Sequence, residues 1–130
     1  MTEIYLLRHA ETDFNAHNKF IGGRSNHIPL SKEGQLQAKQ VGKRFRDNGI
    51  KFKQVFCSPA IRTKETLKII LNETTLSDNL IEYSNDLQEL SQGEWEGRLR
   101  EEIYIPERLV EINSKLNWTF YGNSKANIWM

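Results

Sequence analysis

One cysteine, three prolines, three histidines and a net charge of only +1 are what this 130-residue chain has little of. A lone Cys57 can neither close an intrachain disulfide nor build a cysteine-based metal site. With 18 Lys plus Arg against 17 Asp plus Glu there is no basic excess, which argues against a general nucleic-acid binder. A few converging arginines could still focus a local positive field. No run approaches the ~18 consecutive apolar residues of a membrane span, so no membrane partner is expected. Met1-Thr2-Glu3 shows neither a basic leader nor a cleavage signature, and a cytoplasmic location is the expectation. No repeat, low-complexity segment or Pro/Gly/Ser-rich linker divides the chain, so a single domain over residues 1–130 is expected. Its hydrophobic content of 38% is enough for a core, with little to spare.

What is present reads as alternating strands and helices. Ile4-Tyr5-Leu6-Leu7 is apolar at every position, the pattern of a strand covered on both faces, as in a parallel sheet. Residues 10–30 are polar, with Gly22-Gly23 and Pro29, and read as a long loop of the kind that is usually functional. Ser31 suits a helix N-cap, Gly34, Ala38, Val41 and Phe45 give one packable face, and Asn48-Gly49 supplies a stop. Phe52 to Cys57 reads as a second strand. Ser58-Pro59 then suits a cap and first-turn proline for a helix ending near Asn72. A short strand over 80–83, an irregular polar stretch over 85–98 and a last helix from about Pro106 to Lys115 complete the expectation. The tail beyond it, with Trp118 and Trp129, lacks clear periodicity. Such alternation points to an α/β layer architecture with a mainly parallel sheet. Ligands in such sheets bind beyond the carboxyl ends of the strands, which singles out Arg8-His9 and Ser58 to Arg62.

Arginine offers a planar fork of donors matched to phosphate oxygens and stays charged at biological pH. A neutral imidazole is a nucleophile near neutral pH, and its attack on phosphorus would give a covalent phosphohistidine. Arg62, placed about one turn inside the helix capped by Ser58, would add a second cation beside a helix terminus that already favours anions. Two guanidiniums and a helix end could stabilise the charge of a transferring phosphoryl group. Taken singly, each residue has a plainer reading. An Arg-His pair after a strand can be a solvated loop pair, Arg62 a surface helix residue and Glu89 an exposed carboxylate. His17 and His27 lie in a polar loop without metal-ligand spacing, and Trp95 and Trp118 read as packing residues.

The combination resembles the histidine phosphatase superfamily, which includes phosphoglycerate mutases and many small-molecule phosphatases. Leu6-Leu7-Arg8-His9-Ala10-Glu11-Thr12 resembles its opening signature, and Asn15 stands where the family often has a phosphoryl-contacting asparagine. Pro29-Leu30-Ser31 through Gly34 and Gln37-Ala38 resembles the entry to the first helix. Cys57-Ser58-Pro59-Ala60-Ile61-Arg62-Thr63 is similar to the segment with the second phosphate-binding arginine. Leu87-Gln88-Glu89-Leu90 with Gly93-Glu94-Trp95-Glu96-Gly97 is similar to the segment with the acidic proton donor. The resemblance implies a three-layer phosphoglycerate mutase-like α/β fold with a mainly parallel sheet. It makes His9 the nucleophile, gives Arg8, Asn15 and Arg62 phosphate contacts, and sets the Gly22-Gly23 turn at the substrate mouth. It makes Glu89 the general acid and then base, a role that suits a partly buried carboxyl group. No metal or other cofactor is implied, and the partner is a small phosphorylated substrate.

Three departures accompany the likeness. Ala10 replaces the usual glycine, His27 falls near where many members have an aspartate, and no histidine follows His27 although the family carries a second one on a later strand. The fold is therefore expected to be incomplete, C-terminally shortened relative to the family, with a central strand short of a neighbour. An uncovered edge invites pairing with a second copy, so a homodimer is a further expectation. The reading is a phosphatase acting on a small phosphomonoester. Its rivals are a weak or inactive homologue that only binds phosphate-containing ligands, and a mutase-like phosphotransferase. Hydrolase is favoured because mutases shield the phosphohistidine with further C-terminal material.

Overall fold

A computed structural model describes residues 2–16, 19–75 and 80–110. The chain runs through a one-turn helix α1 (Asp13–Ala16), a long helix α2 (Lys32–Asp47), strand β1 (Val55–Cys57), helix α3 (Ile61–Glu73) and strand β2 (Ile81–Tyr83). Two single 3₁₀ turns, Asn85–Leu87 and Gly93–Trp95, precede a short helix α4 (Arg100–Ile103). Residues 106–110 are helical. The rest of the expected last helix, and the tail with Trp118 and Trp129, lie outside the described residues.

Helix α2 begins and ends where its sequence says it should. The Ser31 hydroxyl accepts from Gly34 N at 3.0 Å, satisfying one orphan donor of the first turn. At the other end Gly49 N donates to Arg46 O and Ile50 N to Phe45 O, each at 2.9 Å. That pair of bonds is a Schellman closure, and it needs the left-handed backbone of Gly49 (φ +65°). Helix α3 packs along α2 with almost no spacer. A methyl group at Gly42 would lie 3.0 Å from the Cα of Ile70, so only glycine permits that approach. Arg46 Nη1 to Glu73 at 3.2 Å and Lys39 Nζ at 3.9 Å fasten the exposed rim of the same contact.

The sheet is parallel, small and open. β1 pairs with β2 in the register Val55–Ile81, Phe56–Glu82 and Cys57–Tyr83, with α3 as the crossover. The core is formed by Ile21, Ile28, Leu30, Ala38, Cys57, Ala60, Ile70 and Ile103. No helix among the described residues is long and apolar enough to cross a membrane.

Three expectations are corrected. Ile4-Tyr5-Leu6-Leu7 is not a strand, and far from being covered on both faces it is exposed, Ile4 to 79% and Leu6 to 72%. A strand exists only if a neighbour takes up its backbone hydrogen bonds, and none among the described residues pairs with this segment. Tyr5 alone finds company: its ring stands edge-on to Phe45 at 5.9 Å and Phe52 at 5.5 Å. The second strand is shorter than expected, three residues rather than Phe52 to Cys57. Helix α3 starts at Ile61, not at Pro59, and neither Ser58 nor its N-cap Ala60 supplies a side-chain cap. Its first donor is met from a distance instead, Ile61 N to Asn26 O at 2.8 Å.

Candidate active site

The candidate site draws on three segments of the chain. His9 comes after the apolar run 4–7, Arg62 after β1, and Glu89 after β2. Long-range tethers hold the first of these. Ala10 N donates to Thr66 Oγ1 at 3.1 Å, and Thr66 lies one helical turn from Arg62 on α3. Glu11 N donates to Gln37 Oε1 at 3.0 Å, and Glu11 O accepts from Ser31 N at 2.9 Å. The peptide on the C-terminal side of His9 is thus pinned between α2 and α3.

His9 is half-buried, and its Nδ1 lies 2.7 Å from the carbonyl oxygen of Ala10. A carbonyl can only accept, so Nδ1 carries the proton and Nε2 is left with the free lone pair. Burial depresses the His9 pKa most, and the positive charges of Arg62 and Arg8 push it the same way. The Ala10 carbonyl and the Glu89 carboxylate act against the shift. The ring is therefore held below its ordinary value of 6.5 and is neutral at pH 7.

Arg62 is 8% exposed. Its Nη1 donates to Ser25 O at 2.8 Å and its Nη2 to Gly23 O at 3.3 Å. Burial lowers its pKa first, Glu89 and Glu96 oppose that, and Arg8 adds to it. An arginine stays charged through such a shift. It is the second residue of α3, nearer the helix end than the expected position one turn inside. Arg8, by contrast, is exposed.

The remaining expected site residues make the following contacts. Asn15 turns its Oδ1 back onto Thr12 N at 2.9 Å, closing its own turn. Gly22 has open space around its Cα, and its carbonyl accepts from Ser25 N. The Gly22-Gly23 turn contributes to the site through the Gly23 carbonyl on Arg62. Glu89 is exposed, so the partial burial expected of a proton donor is absent. Its carboxylate accepts from Leu90 N at 3.1 Å, and its backbone carbonyl accepts from Arg24 Nε at 3.0 Å. His27 is exposed, and His17 lies outside the described residues.

Sequence reasoning missed Glu96. Its Oε1 accepts from Gln92 N at 2.8 Å, Arg24 N at 2.9 Å and Ser91 Oγ at 3.1 Å. Its Oε2 receives a longer bond from Ser25 Oγ at 3.4 Å. Burial works to raise this carboxyl, but the donors together outweigh it and hold the group below its usual range. The sequence signal was its place between Trp95 and Gly97, whose φ of +82° marks a forced turn.

An α/β layer with a parallel sheet, and with Arg62 and Glu89 on the segments that follow its two strands, is of the phosphoglycerate mutase-like class of fold. The sequence model of the histidine phosphatase superfamily (branch 1) matches residues 4–121, and the chain belongs to that superfamily. It is 32% identical over 127 residues to a 2,3-bisphosphoglycerate-dependent phosphoglycerate mutase of Neisseria gonorrhoeae, covering 98% of this chain and 49% of that protein. Among solved structures it is similar to the alpha-ribazole phosphatase from Shigella flexneri, with TM-score 0.62 and 26% identity over 87% of this chain and 52% of that one. A phosphoserine phosphatase from Entamoeba histolytica, in complex with 3-phosphoglyceric acid, matches with TM-score 0.57 and 29% identity over 72% of this chain and 43% of that one. The chain spans about half the length of the curated relatives it matches.

Proposed function

We propose that this chain carries a phosphatase site that hydrolyses a small-molecule phosphomonoester through a phosphohistidine on His9. The observation that carries the reading is the half-buried neutral imidazole with its free Nε2, tied through Ala10 and Thr66 to the helix that bears the buried Arg62. In the first step Nε2 attacks phosphorus and the ester P–O bond breaks. The leaving oxygen takes a proton from Glu89. In the second step Glu89 takes a proton from water, the new P–O bond forms and the P–N bond breaks, releasing inorganic phosphate and neutral His9. Arg62 and Arg8 hold the equatorial oxygens throughout, and an oriented cationic donor of this kind is typically worth ~10²–10³ in rate. The likeness to two solved phosphatases supports hydrolysis, and the likeness to a phosphoglycerate mutase keeps a mutase-like transfer as the neighbouring possibility.

A second reading, a homologue that binds phosphate-containing ligands with little or no turnover, is favoured by the exposure of Glu89 and of the 4–7 segment. One experiment separates the two. The protein is incubated with a ³²P-labelled aryl phosphate, quenched in alkali and tested for acid-labile label. The phosphatase reading expects label on the wild type and none on His9→Ala; label retained by His9→Ala refutes the nucleophile. Phosphate binding by the wild type without label or product selects the second reading.

A further inference from the structure

We propose that Glu96 is a positioning residue of the phosphate pocket, its carboxylate fixing the Gly22–Ser25 turn whose two carbonyls hold the Arg62 guanidinium. The proposal rests on the reading of Arg62 as a phosphate contact and adds the device that sets its fork. Three backbone bonds already join the strands of chain that bear this contact: Ile21 N to Arg98 O at 3.0 Å, Gly97 N to Ile21 O at 2.8 Å and Arg100 N to Lys19 O at 2.9 Å. These align residues 19–21 with 97–100 but stop short of the turn's tip. Glu96 takes over there, accepting from Arg24 N and Ser25 Oγ on one side and from Gln92 N and Ser91 Oγ on the other.

The contact is close. A Cβ on Gly23 would lie 2.6 Å from Glu96 Oε1, and Gly23 has φ +49°, so any other residue there would displace the carboxylate and strain the turn. From that fixed turn Gly23 O and Ser25 O receive Nη2 and Nη1 of Arg62, while Arg24 Nε donates to the carbonyl of Glu89. One carboxylate thus sets the guanidinium and the backbone of the candidate proton donor together. Its negative charge also favours the charged state of the buried Arg62. Arginine holds a forked geometry only while its acceptors stay fixed, so the turn's rigidity is passed directly to the pocket.

The test reads Arg62 itself in ligand-free protein. Rotation about its Cζ–Nη bonds is followed by ¹⁵N guanidinium NMR in wild type, Glu96→Asp and Glu96→Gln. Aspartate keeps the charge but is one methylene too short, whereas glutamine keeps the length and one acceptor oxygen. The proposal expects separate, slowly exchanging Nη signals in wild type, collapsed signals in E96D and partial recovery in E96Q. Inorganic phosphate affinity should fall roughly tenfold in E96D, the loss of about one net hydrogen bond, with no further loss when E96D is added to R62A. Wild-type Arg62 signals in folded E96D overturn it, and so does an equal loss of phosphate affinity in the R62A background. Should wild type fail to bind phosphate at all, the pocket reading fails while the ligand-free spectra still decide the role of Glu96.

Discussion

Replacing Gly34 with alanine tests how tightly the segment bearing His9 is clamped to α2. A Cβ there would sit 2.0 Å from the carbonyl oxygen of Glu11, a backbone atom that no rotamer change can move aside. Ordinary contact begins at 3.4 Å, so the two segments must part by roughly 1.4 Å. That oxygen accepts from Ser31 N at 2.9 Å, a bond that would break, while the Ser31 hydroxyl gives its one proton to Glu11 Oε1 at 2.7 Å. Overpacking of this kind costs about 1–3 kcal/mol and the lost hydrogen bond about 1 kcal/mol more. Against this, alanine's better helix propensity returns about 1 kcal/mol. The collision wins, and G34A should be destabilised by about 1–3 kcal/mol. With a urea m-value near ~2 kcal/mol/M, the unfolding midpoint should drop by about 0.5–1.5 M. Gly22→Ala, with nothing within 4 Å of the new methyl, serves as the control and should shift by less than about 0.5 kcal/mol. A midpoint for G34A equal to or above wild type would refute the clamp.

The titration of His9, followed by its ring Cε1–H resonance, should respond with opposite signs to its two exposed charged neighbours. Arg8→Gln removes a cation and raises the His9 pKa, while Glu89→Gln removes an anion and lowers it further; equal values in both variants would deny that the groups share one pocket. The same depression makes folding stability depend on pH. Below pH ~6.5 unfolded chains take up a proton that folded His9 refuses, so stability present above that value is lost as pH falls toward the folded pKa. His9→Asn should flatten that slope in urea unfolding between about pH 7 and pH 5, and an unchanged slope would place its origin elsewhere. The exposed Ile4 and Leu6 should drive association of two copies, seen as concentration-dependent sedimentation that Leu6→Lys suppresses; a monomer at every concentration would dismiss it.

Local chemistry was legible wherever the deciding groups are near in sequence. Ser31 reaches Gly34 across one turn, and Asn48, Gly49 and Ile50 close α2 with bonds to Arg44, Arg46 and Phe45, so both ends of that helix could be read directly. The start of α3 could not. Its first N–H is met by Asn26, 35 positions earlier, and a cap delivered by tertiary contact leaves no local signature. The apolar run at 4–7 misled for a related reason: composition reports what a segment would bury, not whether a neighbour is there to bury it. At the candidate site, Arg62 and Glu89 lie on the segments that follow β1 and β2, as the order of elements in the sequence suggests, whereas Arg8-His9 follows an apolar run that is not a strand. Glu96 was hidden because four donors from two separated segments define its task.

The two guanidiniums are not equivalent, and the difference follows from where each chain segment goes. Arg62 comes off a helix that is packed on both the sheet and α2, and its fork is already bonded to two carbonyls before any anion arrives. Of five N–H donors it keeps three for a ligand, in an orientation that costs no further ordering. Arg8 ends a segment that is exposed along its whole length, so it must surrender side-chain entropy each time it engages an anion. On the proposed reading, a pocket with one fixed and one adaptable cation would grip the shared dianion in a single register. It would leave the rest of the ligand loosely defined. That division fits a superfamily in which one phosphoryl-handling core serves relatives titled phosphoglycerate mutase, alpha-ribazole phosphatase and phosphoserine phosphatase. On the proposed reading, the phosphoryl group would be read by side chains anchored in α3, and the alcohol part by whatever surrounds the exposed side of Arg8 and Glu89.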